Sequence, residues 1–387
     1  MSIVTNPEVD APPAPIVAKG LENVVALESK LSYVDGQAGD LVYRGYHIHD
    51  LAEHVGFEET AFLLWNGHLP NRAELAETTR MLQDERDVPS EIIALLRSLP
   101  NDAEPSAVLR TGASALALFD PEALDTGPEA NYRKAIRLTA KLPTILAAYD
   151  RVRKGLDWIP PRREGTAAEE FLYMLNGEQP GEMAVKTFDL CLVLHADHGL
   201  NASTFTARVV GSTLSDMYSG VVAAIGALKG PLHGGANIEV MKMLLEIRSG
   251  GLDAAGYVRE KLARKERIMG FGHRVYKTMD PRATSLRQML TRLSEEKGDA
   301  YWLDTAVLMM ETMKGEKDLN PNVDFFSAPV YYLLGIEIDL YTPIFAISRV
   351  AGWTAHLLEQ WDGNRLIRPR LAYVGQKDLR VVPIDKR

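Results

Sequence analysis

The stretch Gly270-Phe-Gly-His-Arg-Val-Tyr-Lys-Thr-Met-Asp-Pro-Arg282 separates two segments of helical periodicity and places His273 directly after Gly272, with Gly270 two residues earlier. Glycine weakens helices and adds no packing, so glycines beside a histidine indicate that the backbone passes close to another group. A second break, Gly230-Pro-Leu-His-Gly-Gly-Ala-Asn237, gives His233 a similar setting. Neutral imidazole donates one hydrogen bond and accepts another, which suits it to polarising a carbonyl. The two breaks predict one active centre that uses both histidines.

Outside these breaks the hydrophobic pattern is helical from Leu51 onwards. Two short alternating runs at 31–35 and 41–44, around Gly36 and Gly39, predict a small hairpin. No strand-helix alternation and no repeat of 20–50 residues is visible in the sequence. The sequence therefore predicts an all-α fold with minor β structure near its start. The helical segments after the first, which spans about 51–65, are 73–98, 106–119, 129–153, 166–176, 185–198, 203–228, 237–249, 253–265, 282–314, 325–335 and 343–361.

Composition limits the classes of function. The chain has 387 residues, a net charge of -9 and 25% charged residues, as in an ordinary globular protein and unlike a general nucleic-acid binder. Cys191 is the only cysteine, which excludes an intrachain disulfide and a cysteine metal cage, and its apolar setting indicates a buried thiol.

The chain shows no signal for export or membrane insertion. Residues 1–19 lack a basic and an apolar signal region and contain four prolines, which predicts a flexible arm. No apolar run is long enough to span a bilayer. We therefore expect a cytoplasmic protein with no membrane partner.

Other polar residues admit more than one interpretation. His195 and His198 are three residues apart and could share a helical face around a metal, but no third ligand follows at a familiar spacing. Either Asn201 or Ser203 can cap the next helix. Asp324, among Val323, Phe325 and Phe326, is either a helix N-cap or a base kept reactive by burial. A helix that begins after His233 would keep that imidazole neutral.

Together these residues resemble the citrate synthase family over nearly the whole chain, from about Gly20 to Arg387. The stretch 270–282 fits the family signature, and Leu194-His-Ala-Asp-His198, Gly230 to Asn237 and Asn322-Val-Asp-Phe325 fit its other blocks in the expected order. The resemblance implies a helical homodimer with a flexible arm, a large domain and a small domain. Their expected ranges are 1–19 for the arm, 20–225 with 336–387 for the large domain, and 226–335 for the small domain.

The resemblance also implies the roles of individual residues. Asp324 would remove a proton from the methyl of acetyl-CoA, His233 would stabilise the enol, and His273 would polarise the ketone of oxaloacetate. Both compounds are substrates, and no cofactor or metal is implied. The residues expected to bind oxaloacetate are His198, Arg282, Phe345, Arg349 and, from the neighbouring subunit, Arg368. Those expected to bind CoA are Met269, Gly270, Phe271, Gly272 and Lys277.

Three other functions remain open at this stage. A 2-methylcitrate synthase would use propionyl-CoA with the same fold and mechanism, and dual activity is possible because one methylene in an apolar pocket changes specificity only about 10–200-fold. Leu232, Asp197, Arg274 and Lys277 look more like citrate synthases, whereas Gly199-Leu200 departs from their pattern. A non-catalytic helical scaffold and a metal-dependent hydrolase using His195 and His198 are the other two.

Overall fold

The computed structural model describes residues 17–387, so most of the predicted arm at 1–19 lies outside the described residues. Residues Lys30–Leu366 form one compact unit, and residues 17–29 with Ile367–Arg387 form another. The predicted small domain lies entirely inside the first unit, and the large and small domains stay a prediction. Among the described helices, none combines the length and apolar character needed to cross a membrane.

The fold is all-α, as predicted, with one small antiparallel sheet. The strands are β1 Ser32–Asp35, β2 Asp40–Tyr43 and β3 Tyr46–His47, in the order β1-β2-β3. Strands β1 and β2 form the predicted hairpin, with Ser32 opposite Tyr43. The helices are α1 Ile48–His54, α2 Phe57–Asn66, α3 Arg72–Asp84, α4 Ser90–Ser98, α5 Pro105–Leu116, α6 Pro128–Arg153, α7 Ala167–Asn176, α8 Glu182–His195, α9 Ala202–Gly211, α10 Met217–Leu228, α11 Ala236–Gly250, α12 Ala254–Ala263, α13 Pro281–Lys297, α14 Tyr301–Lys317, α15 Val323–Leu333 and α16 Tyr341–Trp361.

Four predicted segments are wrong in extent, because each is two helices. Segment 51–65 breaks at Val55 and Gly56, whose extended backbone separates α1 from α2. Segment 73–98 breaks before Pro89, which has no N–H to continue a helix. Segment 203–228 breaks at Leu214, with φ of 64°, and restarts where the Asp216 side chain caps α10. Segment 282–314 ends its first helix at Gly298, with φ of 65°. Apolar residues lie on both sides of all four breaks, so periodicity alone does not reveal them.

The buried helix α16 supports the segment that follows α8. Most residues of α16 are buried, and Gly352 at its centre lies directly against that segment. A Cβ at Gly352 would lie 2.3 Å from the Ala196 carbonyl oxygen and 2.8 Å from Asp197 Oδ1. Glycine therefore permits the close approach that sets the position of residues 196–198.

The sheet supports the histidine loop at 270–282. The backbone N–H of Lys277 donates to the Gly36 carbonyl at 2.7 Å. A Cβ at Gly36 would lie 2.2 Å from the carbonyl oxygen of Val275, so the hairpin turn and the loop pack backbone to backbone. The loop at 270–282 is thus held in place by the turn of the hairpin.

We expect Gly352→Ala to lower the free energy of unfolding by about 1–3 kcal/mol, because the added methyl meets backbone that cannot move aside. Gly315→Ala is the matched control, since a Cβ at this helical glycine meets nothing within 4 Å. The control should raise stability by about 0.5–1 kcal/mol. Urea unfolding measures both, and equal effects of the two substitutions would contradict the packing argument.

Candidate active site

His233 lies in the loop between α10 and α11, where its Nε2 meets the start of α9. The backbone N–H of Ser203 donates to Nε2 at 3.2 Å, and the Ser203 hydroxyl oxygen lies 2.9 Å from it. This N–H is shared with Asn201 Oδ1 at 3.1 Å, and because a backbone N–H can only donate, its bond to His233 assigns the lone pair to Nε2 and the proton to Nδ1. Burial lowers the pKa of His233 to about 4. The neutral imidazole was predicted, but the helix end it meets is that of α9 and not of α11.

His273 is fixed in the opposite tautomer by its own loop. The backbone N–H groups of Val275 and Tyr276 donate to Nδ1 at 3.0 and 3.1 Å. The proton therefore lies on Nε2, which is left as a donor. Burial, and then the charge of Arg282, lower the pKa of His273 to about 4. Near neutral pH both glycine-loop histidines are neutral hydrogen-bond donors.

Asp324 is not the N-cap of α15, so that interpretation of the sequence is wrong. The cap is Asn322, whose side-chain oxygen accepts the Asp324 backbone N–H at 3.1 Å. The Asp324 carboxyl is therefore free of a capping role, and its Oδ1 is buried without a hydrogen-bond partner among the described residues. Burial raises the pKa of Asp324 to about 7, against the opposing charge of Arg282. Such a carboxyl is a base near neutral pH.

A short backbone pairing joins the His273 loop to the start of α15. The N–H of Gly272 donates to the Asn320 carbonyl at 3.0 Å, and the N–H of Asn322 donates to the Gly270 carbonyl at 2.9 Å. The Asn322 side chain adds a bond to the Gly272 carbonyl at 3.0 Å. Asn322 thus links the two segments, and the predicted base and one predicted histidine come from adjoining backbone.

Arg282 is buried and already engaged with Asp280. Its Nε and Nη2 donate to the two Asp280 oxygens at 3.0 and 2.8 Å. A bidentate pair of this kind fixes the guanidinium plane and balances its charge. Of the guanidinium nitrogens, Nη1 is left for a further acceptor.

Arg349 is buried without a carboxylate in direct contact among the described residues. Its Nε donates to the His195 carbonyl at 2.5 Å, and its Cζ lies 4.7 Å from the centre of the Phe345 ring. Its Nη2 is buried and has no partner among the described residues. Burial lowers the pKa of Arg349 to about 10, and the charge of Asp197 opposes this. A buried guanidinium with an unused donor is suited to a carboxylate ligand.

His198 is a further, partly buried residue, in contact with Tyr276 and His273. Its Nε2 is 3.0 Å from the Tyr276 hydroxyl, and its ring centre is 5.5 Å from that of His273. Burial, and then the charges of Arg282 and other neighbours including Arg349, hold its pKa well below the ordinary value. The structure thus brings His198, the two arginines and His273 together.

The remaining predicted residues have different surroundings. Met269 and Phe271 are partly buried, and the Phe271 ring centre lies 4.5 Å from that of Phe325. Lys277 is exposed beside the hairpin turn. Arg368 is exposed and belongs to the second unit, so its predicted role is a matter for experiment.

The metal hypothesis loses its geometric premise. Helix α8 ends at His195, so His195 and His198 do not share a helical face. His195 Nδ1 lies 2.6 Å from the Cys191 carbonyl oxygen. In the part of the chain that the structure describes, no group of three or more His, Cys, Asp or Glu side chains could hold a metal ion.

Cys191 is buried, and burial raises the pKa of its thiol.

Sequence analysis missed four residues that fix the site. Tyr276 and Asp280 stand in the quoted loop, but nothing in the local pattern shows that they bind His198 and Arg282. Ser203 and Asn322 were visible only as a capping candidate and as part of a motif. Asn201 caps α9, as one of the two alternatives predicted. The missed contacts join segments far apart in sequence, except Asp280 with Arg282.

Comparison with known proteins identifies relatives across the whole chain. A family model described as "Citrate synthase, C-terminal domain" matches residues 20–370. The chain is 54% identical to citrate synthase 2 of Bacillus subtilis, over 95% of this chain and 99% of that protein. It is 45% identical to a 2-methylcitrate synthase of Mycobacterium tuberculosis, over 98% of this chain and 95% of that protein.

Solved structures give the same result. The citrate synthase of Pyrobaculum aerophilum superposes with a TM-score of 0.90 and 38% identity, covering 100% of this chain and 99% of that one. The citrate synthase of Thermoplasma acidophilum, solved as a ternary complex with carboxymethyl coenzyme A and oxaloacetate, gives a TM-score of 0.89 and 33% identity. That match covers 97% of this chain and 100% of the other.

Asp324→Asn tests the buried carboxyl through the pH dependence of stability. Its folded pKa of about 7 exceeds the ordinary value of 3.8, so the folded wild type binds the extra proton between these values. The wild type therefore loses stability as pH rises through this window, whereas the amide does not titrate. The free energy of unfolding of the variant, relative to wild type, should increase from about pH 4 to about pH 8 by a few kcal/mol.

Asp318→Asn is the control with the opposite sign. The ion pair with Lys314 lowers the pKa of Asp318, so the wild type gains stability from this group as pH rises. A difference for Asp324→Asn that is flat with pH, in parallel denaturant titrations, would show that this carboxyl has an ordinary pKa.

Proposed function

The chain belongs to the citrate synthase family of enzymes, and from this we propose that it condenses acetyl-CoA with oxaloacetate to form citrate and CoA. The observation that carries the proposal is the pair of fixed tautomers. Backbone N–H groups occupy His233 Nε2 and His273 Nδ1, so each imidazole keeps one N–H for a carbonyl oxygen. The proposed reaction needs two such donors, one for a thioester and one for a ketone.

In the proposed enolisation, Asp324 removes a methyl proton from acetyl-CoA while His233 Nδ1–H binds the thioester oxygen. The methyl group of a thioester is a very weak acid, so the base must act together with a donor that stabilises the enol. The unpartnered Oδ1 and the raised pKa of Asp324 support the base assignment. A neutral histidine is the better donor here because it adds no charge that would hold the base in an ion pair.

In the proposed condensation, His273 Nε2–H binds the ketone oxygen of oxaloacetate and makes its carbon electrophilic. The enol carbon attacks, and hydrolysis of the resulting citryl thioester releases citrate and CoA. We assign the oxaloacetate carboxylates to His198, Arg282 and Arg349, with Phe345 beside them. The unused Nη2 of Arg349 supports its assignment, because a buried donor of this kind requires an acceptor.

The binding of CoA is proposed for the loop at Met269 to Gly272 and for Lys277. Exposed Lys277 lies in the same loop as His273, which would place a cation near an anionic substrate. Acetyl-CoA and oxaloacetate are substrates in this proposal, and it requires no cofactor. A homodimer in which Arg368 reaches the neighbouring site is also part of it.

The second candidate function is a 2-methylcitrate synthase, or an enzyme with both activities. The similarity to the 2-methylcitrate synthase of Mycobacterium tuberculosis, at 45% identity over 98% of this chain, favours testing it. The two reactions share every proposed catalytic group and differ in one methylene of the acyl chain.

Release of free thiol from acetyl-CoA and from propionyl-CoA, each with oxaloacetate, decides between the two functions. We expect kcat/KM to favour acetyl-CoA by about 10-fold or more, within the range that one methylene provides. Asp324→Asn is the control, and it should remove both activities to the same degree. A larger kcat/KM for propionyl-CoA would assign the second function, and thiol release from neither substrate would refute both.

Mixing Arg368→Ala chains with His273→Ala chains tests the role of Arg368 across an interface. Each variant alone should be nearly inactive. If Arg368 serves the partner's site, each mixed dimer contains one intact site, and subunit exchange should restore about a quarter of wild-type activity. Subunit exchange confirmed by native mass spectrometry without any recovery would place Arg368 in its own subunit's site or outside both.

A further inference from the structure

His195, the last residue of α8, is a buried histidine for which the proposed function has no use. Its side chain is completely inaccessible to solvent, and Nδ1 lies 2.6 Å from the Cys191 carbonyl oxygen. A carbonyl can only accept, so the proton lies on Nδ1 and Nε2 presents a lone pair. Local backbone therefore fixes this tautomer independently of any ligand.

The lone pair on Nε2 is unused, and His195 contacts two residues of the proposed oxaloacetate site, Phe345 and Arg349. Nε2 is buried and has no hydrogen-bond partner among the described residues. The ring centre of His195 lies 4.5 Å from that of Phe345, whose ring also contacts the Arg349 guanidinium at 4.7 Å. Arg349 Nη2 is a second buried atom without a partner among the described residues. One residue thus supplies an unused acceptor, and its neighbour on Phe345 supplies an unused donor.

Leaving a buried acceptor without a hydrogen bond is costly, so a group that donates to Nε2 is favoured strongly. Protonation of His195 is disfavoured, because burial and then the charge of Arg282 lower its pKa to about 3. The partner must therefore bring its own O–H or N–H. Ionised oxaloacetate offers only carboxylate and ketone oxygens, and the acyl end of acetyl-CoA offers only a carbonyl. Of the groups that enter the proposed reaction, namely the acyl end of acetyl-CoA, oxaloacetate and water, only water carries a hydrogen that it can donate to Nε2.

We propose that His195 is a positioning residue that holds the water consumed in the hydrolytic step, by accepting from it at Nε2 while one of the two N–H groups of Arg349 Nη2 donates to it and the other binds the substrate carboxylate. The proposal rests on the proposed function, since only the citryl thioester requires this water. The water donates one hydrogen bond to His195 and accepts one from Arg349, and these two bonds fix its orientation. Its second hydrogen remains available to the proposed base, Asp324. His195 accepts no proton in the step.

The step balances with groups already assigned. The water oxygen forms a bond to the thioester carbon, and the C–S bond breaks with its electron pair on sulfur. One water proton passes to the Asp324 carboxylate and from there to the thiolate, which gives free CoA. The other proton leaves when the new carboxylic acid ionises. No oxidant, reductant or metal takes part.

The test separates condensation from hydrolysis in two variants of His195. His195→Phe keeps a ring and removes the acceptor, whereas His195→Gln keeps an acceptor. Quenched-flow samples with acetyl-CoA and oxaloacetate are resolved by chromatography into acetyl-CoA, citryl thioester and free CoA. We expect His195→Phe to slow hydrolysis about 100-fold and to accumulate the citryl thioester, because a misplaced reactant costs about this much. His195→Gln should recover part of the hydrolysis rate.

The rate of enolisation shows whether His195→Phe damages the active site as a whole or only slows hydrolysis. It is measured as exchange of the acetyl-CoA methyl hydrogens in D₂O, with a dicarboxylate analogue in place of oxaloacetate. This rate should stay within about 3-fold of wild type in His195→Phe, because the chemistry of Asp324 and His233 does not involve His195. Equal losses of exchange and hydrolysis, with no citryl thioester, would overturn the proposal.

A crystal structure of the wild type gives a second test that needs no variant to fold. A water oxygen within about 3 Å of both His195 Nε2 and Arg349 Nη2 is expected. A protein N–H or O–H donating to Nε2 in that structure would overturn the proposal. Failure of the proposed function is distinguishable, because wild-type enzyme would then release no thiol and form no citrate.

Discussion

The rest of the site depends on the ion pair and the hydrogen bonds that the Asp280 carboxylate makes. It accepts from Arg282 Nε, from Nη2 and from the Arg282 backbone N–H, which caps the start of α13. It also accepts the Val323 backbone N–H at 3.1 Å, the first N–H of α15. These bonds, with the charge of Arg282 foremost, lower the pKa of Asp280 against the effect of burial. One buried anion therefore joins the His273 loop, α13 and the helix that carries Asp324.

Burial shifts the pKa values of this site in opposite directions, downwards at the two histidines and upwards at the carboxyl of Asp324. Removing water disfavours every charged form, which lowers the pKa of His233 and His273 to about 4 and raises that of Asp324 to about 7. The same low-dielectric surroundings thus keep two donors neutral and make one carboxyl a stronger base. Arg282 limits the rise at Asp324, so the carboxyl can still ionise near neutral pH. The two sets of shifts have a common origin.

The sequence predicted the all-α class, the hairpin and the positions of both glycine-loop histidines, because each depends on local chemistry. It failed where two local solutions compete. Asp324 and Asn322 are both good caps, and only the backbone geometry decides for Asn322. Helix ends at Leu214 and Gly298 were missed because apolar residues lie on both sides of them. The tautomer of His233 depends on Ser203, which is 30 residues away in the sequence and lies on helix α9.

In the proposed reaction, the donors and acceptors of the site are divided between the substrates by their chemistry. Oxaloacetate and a thioester carry only acceptors at their reacting ends, so they match His233 Nδ1–H, His273 Nε2–H and the Arg349 donor. The two acceptors of the site, Asp324 Oδ1 and His195 Nε2, cannot form a hydrogen bond with these substrate oxygens, because an acceptor does not bind another acceptor. In the proposed reaction Asp324 Oδ1 would meet a C–H, and the His195 lone pair would accept from an O–H. An active centre built only for condensation would have no use for the second acceptor. Its burial beside Arg349 is explained if the same pocket also holds the water for hydrolysis.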